Sequence, residues 1–288
     1  MSSHDKSRRE FVGWSAAAGL VAATRSGAAA PLAVVEQEVA IRTADGNCDA
    51  VFCHPRQGVH AGVLIWTDIF GLRPAFREFG KRLAASGYSV LVPNPFYRTA
   101  KAPVFGDISS FNFQNEADRA KLPPLVGPLN AAGAVESDAQ AFIAFLDAQR
   151  QVSKSRKIGT QGYCMGGPLV MRTAAAKPER VGAGASFHGG GLVTDKPDSP
   201  HLLIPKLRAH MYFAIAANDD ARQPEAKDTL RAACAAAQVV ADIEVYPGAQ
   251  HGWCVPDMPA QNGTAIYNQP DAERAWDKLL ELYRVALA

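Results

Sequence analysis

The sequence predicts one three-layer α/β domain, a mostly parallel sheet with helices on both faces, and three observations predict it. Short, wholly apolar runs such as Gly62-Val63-Leu64-Ile65-Trp66 lack the polar alternation of a half-exposed strand, as buried parallel strands require. Such runs alternate along the chain with segments of helical period. Helices between the strands provide the right-handed crossovers that parallel neighbours need.

In order, residues 34–41 and 49–52 read as a strand pair about the turn Asp45-Gly46-Asn47. Residues 62–66 form a central strand, and 76–85 a helix with its stop at Gly87. Residues 89–92 are a buried strand, broken by Pro93 and Pro95. From 99 to 130 the chain is rich in Pro, Gly and charge with no clear period, the composition of a lid or binding loop. An amphipathic helix follows at 135–148, a strand at 157–161, a helix at 171–176 and a strand at 183–187. The remaining expectations are strands at 211–217 and 242–246 and helices at 226–237 and 272–286.

Composition narrows the function. The chain has 288 residues, 48% of them hydrophobic, enough for one large core. Thirty basic and 28 acidic side chains leave a net charge of +2, which gives no case for nucleic acid. The five cysteines are too few and too scattered for a disulfide framework, and no Cys/His cluster has zinc spacing. Cys48 and Cys53 lie five apart on one expected strand, so they face opposite sides. No metal and no cofactor is expected, and the partner is a small molecule met by a monomer or homodimer.

Residues 1–30 are of another kind. Ser7-Arg8-Arg9-Glu10-Phe11-Val12 resembles a twin-arginine export signature, followed by a short apolar stretch from 14 to 24 and then small residues. That stretch is too short and alanine-rich to span a bilayer, so a periplasmic location without a membrane anchor is expected. The folded domain is expected over 31–288.

Gly162-Tyr163-Cys164-Met165-Gly166-Gly167 stands between a predicted strand and a predicted helix. This is the nucleophile-elbow pattern, G-x-S-x-G, with sulfur in place of the hydroxyl. The glycines are needed because a Cβ at either flank would collide with neighbouring backbone. The turn lifts the sulfur above the sheet at a helix N-terminus, whose positive end favours thiolate over a thiol of pKa about 8.5. The Met165 N–H then points to where an oxyanion would form. In such folds the acid and then the histidine follow the nucleophile. Asn218-Asp219-Asp220 follows one late strand, and Pro247-Gly248-Ala249-Gln250-His251-Gly252 the next. Cys164, Asp219 and His251 therefore make the expected catalytic set, with Asp220 as the alternative acid. His188 ends a strand between nucleophile and acid, a place suited to lining the pocket.

These features make the chain an α/β-hydrolase in outline, and together with Asp68-Ile69-Phe70-Gly71-Leu72 and Tyr246-Pro247-Gly248 they resemble the dienelactone hydrolase family. The resemblance implies hydrolysis of an enol-lactone, dienelactone (carboxymethylenebutenolide) to maleylacetate, through a thioester. It also implies that the Ile69 and Met165 N–H groups form the oxyanion hole. A thiolate nucleophile suits an ester whose leaving oxygen is a stabilised enolate. Two positions depart from the family pattern: Asp68 stands where Glu is usual, and Val255 where an arginine follows the histidine by four residues. Asp68, Arg119, His188 and Trp253 are the expected pocket residues, Arg119 as a contact for an anionic group. A broad carboxylesterase is the alternative, with a non-catalytic binding protein and a thiol redox protein using Cys254 behind it.

Overall fold

The computed structural model describes residues 30–261 and 263–288; the expected export segment at 1–30 lies outside them apart from Ala30. Eight strands form one sheet: β1 (Val34–Thr43), β2 (Gly46–Pro55), β3 (Ala61–Trp66), β4 (Tyr88–Pro93), β5 (Ile158–Tyr163), β6 (Val181–Phe187), β7 (His210–Ala216) and β8 (Ala241–Tyr246). Their order across the sheet is β1-β2-β4-β3-β5-β6-β7-β8. The β1–β2 and β2–β4 pairs are antiparallel, and every later pair is parallel. This is the α/β-hydrolase architecture expected from the sequence.

The apolar runs fill both layers by simple alternation. On β3, Val63 and Ile65 enter a core with Phe76, Phe79 and Leu83 of α1 (Pro74–Ala85) and Trp276, Leu279 and Tyr283 of α8 (Gln269–Ala286). Leu64 and Trp66 enter the opposite core with Phe142 and Leu146 of α4 (Ala134–Ala148) and Leu169 and Val170 of α5 (Gly166–Ala176). Burial of each large apolar side chain contributes about 1.5–3 kcal/mol, so a strand buried on both faces is held from both. Cys48 belongs to one core and Cys53 to the other, and both are free thiols.

Three details depart from the sequence reading. Thr43 pairs with Gly46, so the first turn is Ala44-Asp45, one residue earlier than expected. The 99–130 segment holds two short helices, α2 (Glu116–Arg119) and α3 (Pro123–Leu129), the first capped by the Asn115 side chain. It also carries an aromatic cluster: Phe111 lies 5.0 Å from Phe70 and 4.9 Å from Phe113, with Phe105 edge-on to Phe70 and Ile69 packed alongside. This order comes from packing on Phe70 and not from local period. Last, the residues after β7 form a short helix, α6 (Ala217–Arg222), where the sequence reading placed the end of a strand and no helix. Six residues are too few to display an amphipathic repeat. The helix expected at 226–237 is α7 (Ala226–Ala236).

Candidate active site

Cys164 sits between β5 and α5 in the left-handed region, with φ +52°. That conformation costs a non-glycine residue on the order of 1–3 kcal/mol. It is held by the Cys164 N–H donating to Phe187 O and the Cys164 carbonyl accepting from Gly167 N–H, each at 3.0 Å. A Cβ at Gly162 would stand 2.1 Å from Gly166 O, and one at Gly166 2.6 Å from Trp66 O. One at Gly167 would stand 2.6 Å from Gly189 Cα. The elbow is therefore packed against the end of β3 on one side and the turn after β6 on the other. Cys164 is partly exposed, whereas the four other cysteines are buried.

His251 follows β8, and Nδ1 lies 2.7 Å from Oδ2 of Asp219, in the first turn of α6. Its backbone N–H donates to Asn218 Oδ1 at 2.8 Å, so α6 holds both the ring and the backbone of the histidine. Asp220, one residue on and about 100° further round the helix, points elsewhere and pairs with Lys227 Nζ at 2.7 Å. Burial opposes a charge on His251; hydrogen bonds to Asp219 and to Cys164, with their charges, outweigh burial and raise its pKa to about 10. With Nδ1 engaged by the carboxylate, Nε2 is the nitrogen left for Cys164.

Ile69 follows β3 and Met165 follows Cys164; among the described residues neither backbone N–H donates to a protein acceptor. Gly166 packs against the carbonyls of Trp66 and Thr67, which brings these two segments side by side.

The dienelactone hydrolase family model matches residues 48–287. The chain belongs to the dienelactone hydrolase family. A relative from Escherichia coli (strain K12) is 28% identical over 263 residues, 88% of each chain. A carboxymethylenebutenolidase of Rhodococcus opacus is 24% identical, over 77% of this chain and 79% of its own. Among solved structures, the dienelactone hydrolase-like promiscuous phosphotriesterase from metagenomic libraries superposes with TM-score 0.72 at 21% identity, covering 89% of this chain and 100% of that one. Dienelactone hydrolase from Anabaena variabilis superposes with TM-score 0.58 at 16% identity, covering 88% and 99%. The family makes this chain a carboxymethylenebutenolidase-like hydrolase acting on a small molecule.

Of the pocket residues expected in this family member, three are placed otherwise. Asp68 is fully buried, and its carboxylate is occupied by Arg73 Nη1 and Nη2, at 2.6 and 2.9 Å, and by the Phe70 N–H. An aspartate is short enough to turn back on its own loop, which satisfies its charge there. Arg119 is exposed at the end of α2 and donates to the carbonyls of Phe113 and Gln114, within its own loop. Trp253 is fully buried and stacks on Tyr246 at 5.1 Å, so it backs the site from the core. His188 lies 4.9 Å from His251, ring to ring, with φ +40°. Burial and then the nearby His251 hold its pKa well below the usual imidazole value, so it stays neutral.

The sequence reading missed Asn218, Arg73 and Asp257. Asn218 could have been found from the Asn-Asp-Asp run. Arg73 and Asp257 are 184 residues apart, and only the fold brings them together.

Proposed function

We infer that this protein hydrolyses a small ester or lactone through a thioester on Cys164. The observation that carries this reading is the pairing of His251 Nδ1 with Asp219 Oδ2 at 2.7 Å, which leaves Nε2 free to serve the partly exposed Cys164 held on the elbow. The sulfur attacks the carbonyl carbon as a thiolate paired with imidazolium, and the carbonyl oxygen takes up negative charge between the Ile69 and Met165 N–H groups. Collapse expels the leaving oxygen, which takes the proton from His251, and leaves the acyl group on sulfur. Water then gives a proton to His251, adds to the thioester and releases the acid, and the thiolate–imidazolium pair returns. Asp219 keeps the imidazole in one orientation throughout.

A dienelactone-type enol-lactone fits this chemistry through its enolate leaving group. A second reading, a broad carboxylesterase, gains support from the charges near the elbow. Arg73 is neutralised by two carboxylates, Arg119 turns into its own loop, and Val255 is buried and apolar, so an uncharged ester is accommodated more readily than a carboxylate. Redox chemistry between Cys164 and Cys254 is disfavoured. Cys254 is buried, and burial pushes its thiol well above the ordinary range. The twin-arginine-like pattern at Arg8-Arg9, with the apolar stretch after it, supports the periplasm as the proposed location.

Mass spectrometry of protein quenched during turnover tests the reading. An acyl mass on the Cys164 peptide, absent from Cys164→Ala, is expected with charged and uncharged lactones and esters offered in parallel. Turnover by Cys164→Ala at the wild-type rate would overturn it.

A further inference from the structure

We propose that Arg73 is a positioning residue that ties the oxyanion loop to the histidine loop; this rests on the catalytic reading given above. Arg73 precedes α1 and is 5% exposed. All five of its guanidinium N–H groups are engaged. Nη1 and Nη2 donate to the two oxygens of Asp68, and Nη1 also to Gly71 O at 3.3 Å. Nε and Nη2 donate to the two oxygens of Asp257 at 2.9 and 2.8 Å. Phe70 and Phe76 lie against the guanidinium at 5.5 and 5.0 Å.

The two carboxylates belong to different parts of the site. Asp68 immediately precedes Ile69, and its Oδ1 also accepts the Phe70 N–H at 2.9 Å. One carboxylate thus fixes the backbone on both sides of the Ile69 N–H. Asp257 lies six residues after His251, at the end of a chain of tight turns: Trp253 N–H to Gln250 O, and Val255 N–H to Gly252 O. The loops leave β3 and β8, which are separated in the sheet by β5, β6 and β7. No backbone hydrogen bond joins them among the described residues. Arg73 does join them, through a bidentate fork on each side.

Stability alone does not call for this arrangement, because a buried ion cluster is often no more stabilising than apolar residues of the same volume. Its geometric effect is specific. A planar fork held by two carboxylates fixes the distance between an oxyanion donor and the imidazole that serves the same carbonyl. Lysine, with one point charge, cannot hold two carboxylates in that way.

The outer half of the clamp is the part to test, because Asp257 is 38% exposed and its removal leaves the buried Arg73–Asp68 pair intact. For Asp257→Ala, kcat is expected to fall ~10- to 100-fold with KM little changed, as misplacement of catalytic groups implies. Its melting temperature should stay near that of wild type, and Asp257→Glu should recover most of the rate. Arg73→Lys should show the same split between kcat and KM. Wild-type kcat in both Asp257→Ala and Arg73→Lys overturns the proposal, as does a loss of rate that only follows a loss of folded protein. Cys164→Ala keeps the two readings apart: turnover there defeats the catalytic assignment, whereas an inert Cys164→Ala beside fully active Asp257→Ala and Arg73→Lys defeats the clamp alone.

Discussion

Oδ2 of Asp219 lies 2.7 Å from Nδ1 of His251, while the adjacent Asp220 is turned to Lys227. Two neighbouring aspartates on one short helix thus have separate partners. The difference is rotational, since consecutive helical residues face directions about 100° apart.

Asp219→Asn should therefore lower kcat on the order of 10²- to 10⁴-fold, because an amide favours the wrong tautomer and cannot stabilise imidazolium. Asp220→Asn should stay within a few-fold of wild type and lose only a partly exposed ion pair worth about 1 kcal/mol or less. Side-by-side hydrolysis rates on one ester check both. Equal losses in the two variants would remove Asp219 from its assigned role.

Much of this was legible in the sequence because the relevant signals are local. Glycines bracketing Cys164, a strand before it and a helix after it mark the elbow without reference to the rest of the chain. His251 was legible from its Pro-Gly turn beyond a strand. The choice between Asp219 and Asp220 was less so, because it depends on α6, a helix too short to leave a period. The positions of Asp68, Arg119 and Trp253 were not legible at all. Each is decided by a tertiary partner: Arg73 for Asp68, the Phe113 and Gln114 carbonyls for Arg119, and Tyr246 for Trp253.

The raised pKa of His251 makes a prediction about pH. Its folded value of about 10 lies above the ordinary 6.5, so the stabilisation it brings is complete below about pH 6.5 and is lost as pH rises through about 10. The ring-proton resonances of His251 should titrate with a midpoint near 10, and well below that in Asp219→Asn. Between pH 7 and 10 wild type should also lose more resistance to urea than Asp219→Asn does. A wild-type midpoint close to 6.5 would show that the bonds to Asp219 and Cys164 do not outweigh burial.

The elbow glycines make a prediction about stability. Gly162→Ala places a Cβ 2.1 Å from Gly166 O, a backbone atom that cannot swing aside. Overpacking of this kind should cost about 3 kcal/mol or more. Gly190→Ala, three residues past the end of β6, meets nothing within 4 Å and should change stability by about 0.5 kcal/mol or less. Denaturant midpoints of the two variants separate a packing requirement from a general intolerance of side chains around Cys164.

Export is testable through the arginine pair. Replacing Arg8 and Arg9 with lysine keeps the charge but removes the twin-arginine signature, so the enzyme should accumulate at full length in the cytoplasm, with its activity per folded molecule unchanged. Fractionation followed by an ester assay checks this; periplasmic enzyme at wild-type level would assign export to another signal. The distribution of thiols fits the proposed location. Cys48, Cys53, Cys234 and Cys254 are buried, and Cys164 is the partly exposed one. In an oxidising compartment the folded chain therefore offers for reaction chiefly the sulfur that hydrolysis would use, and the same fractions should show peroxide inactivation that tracks modification of Cys164.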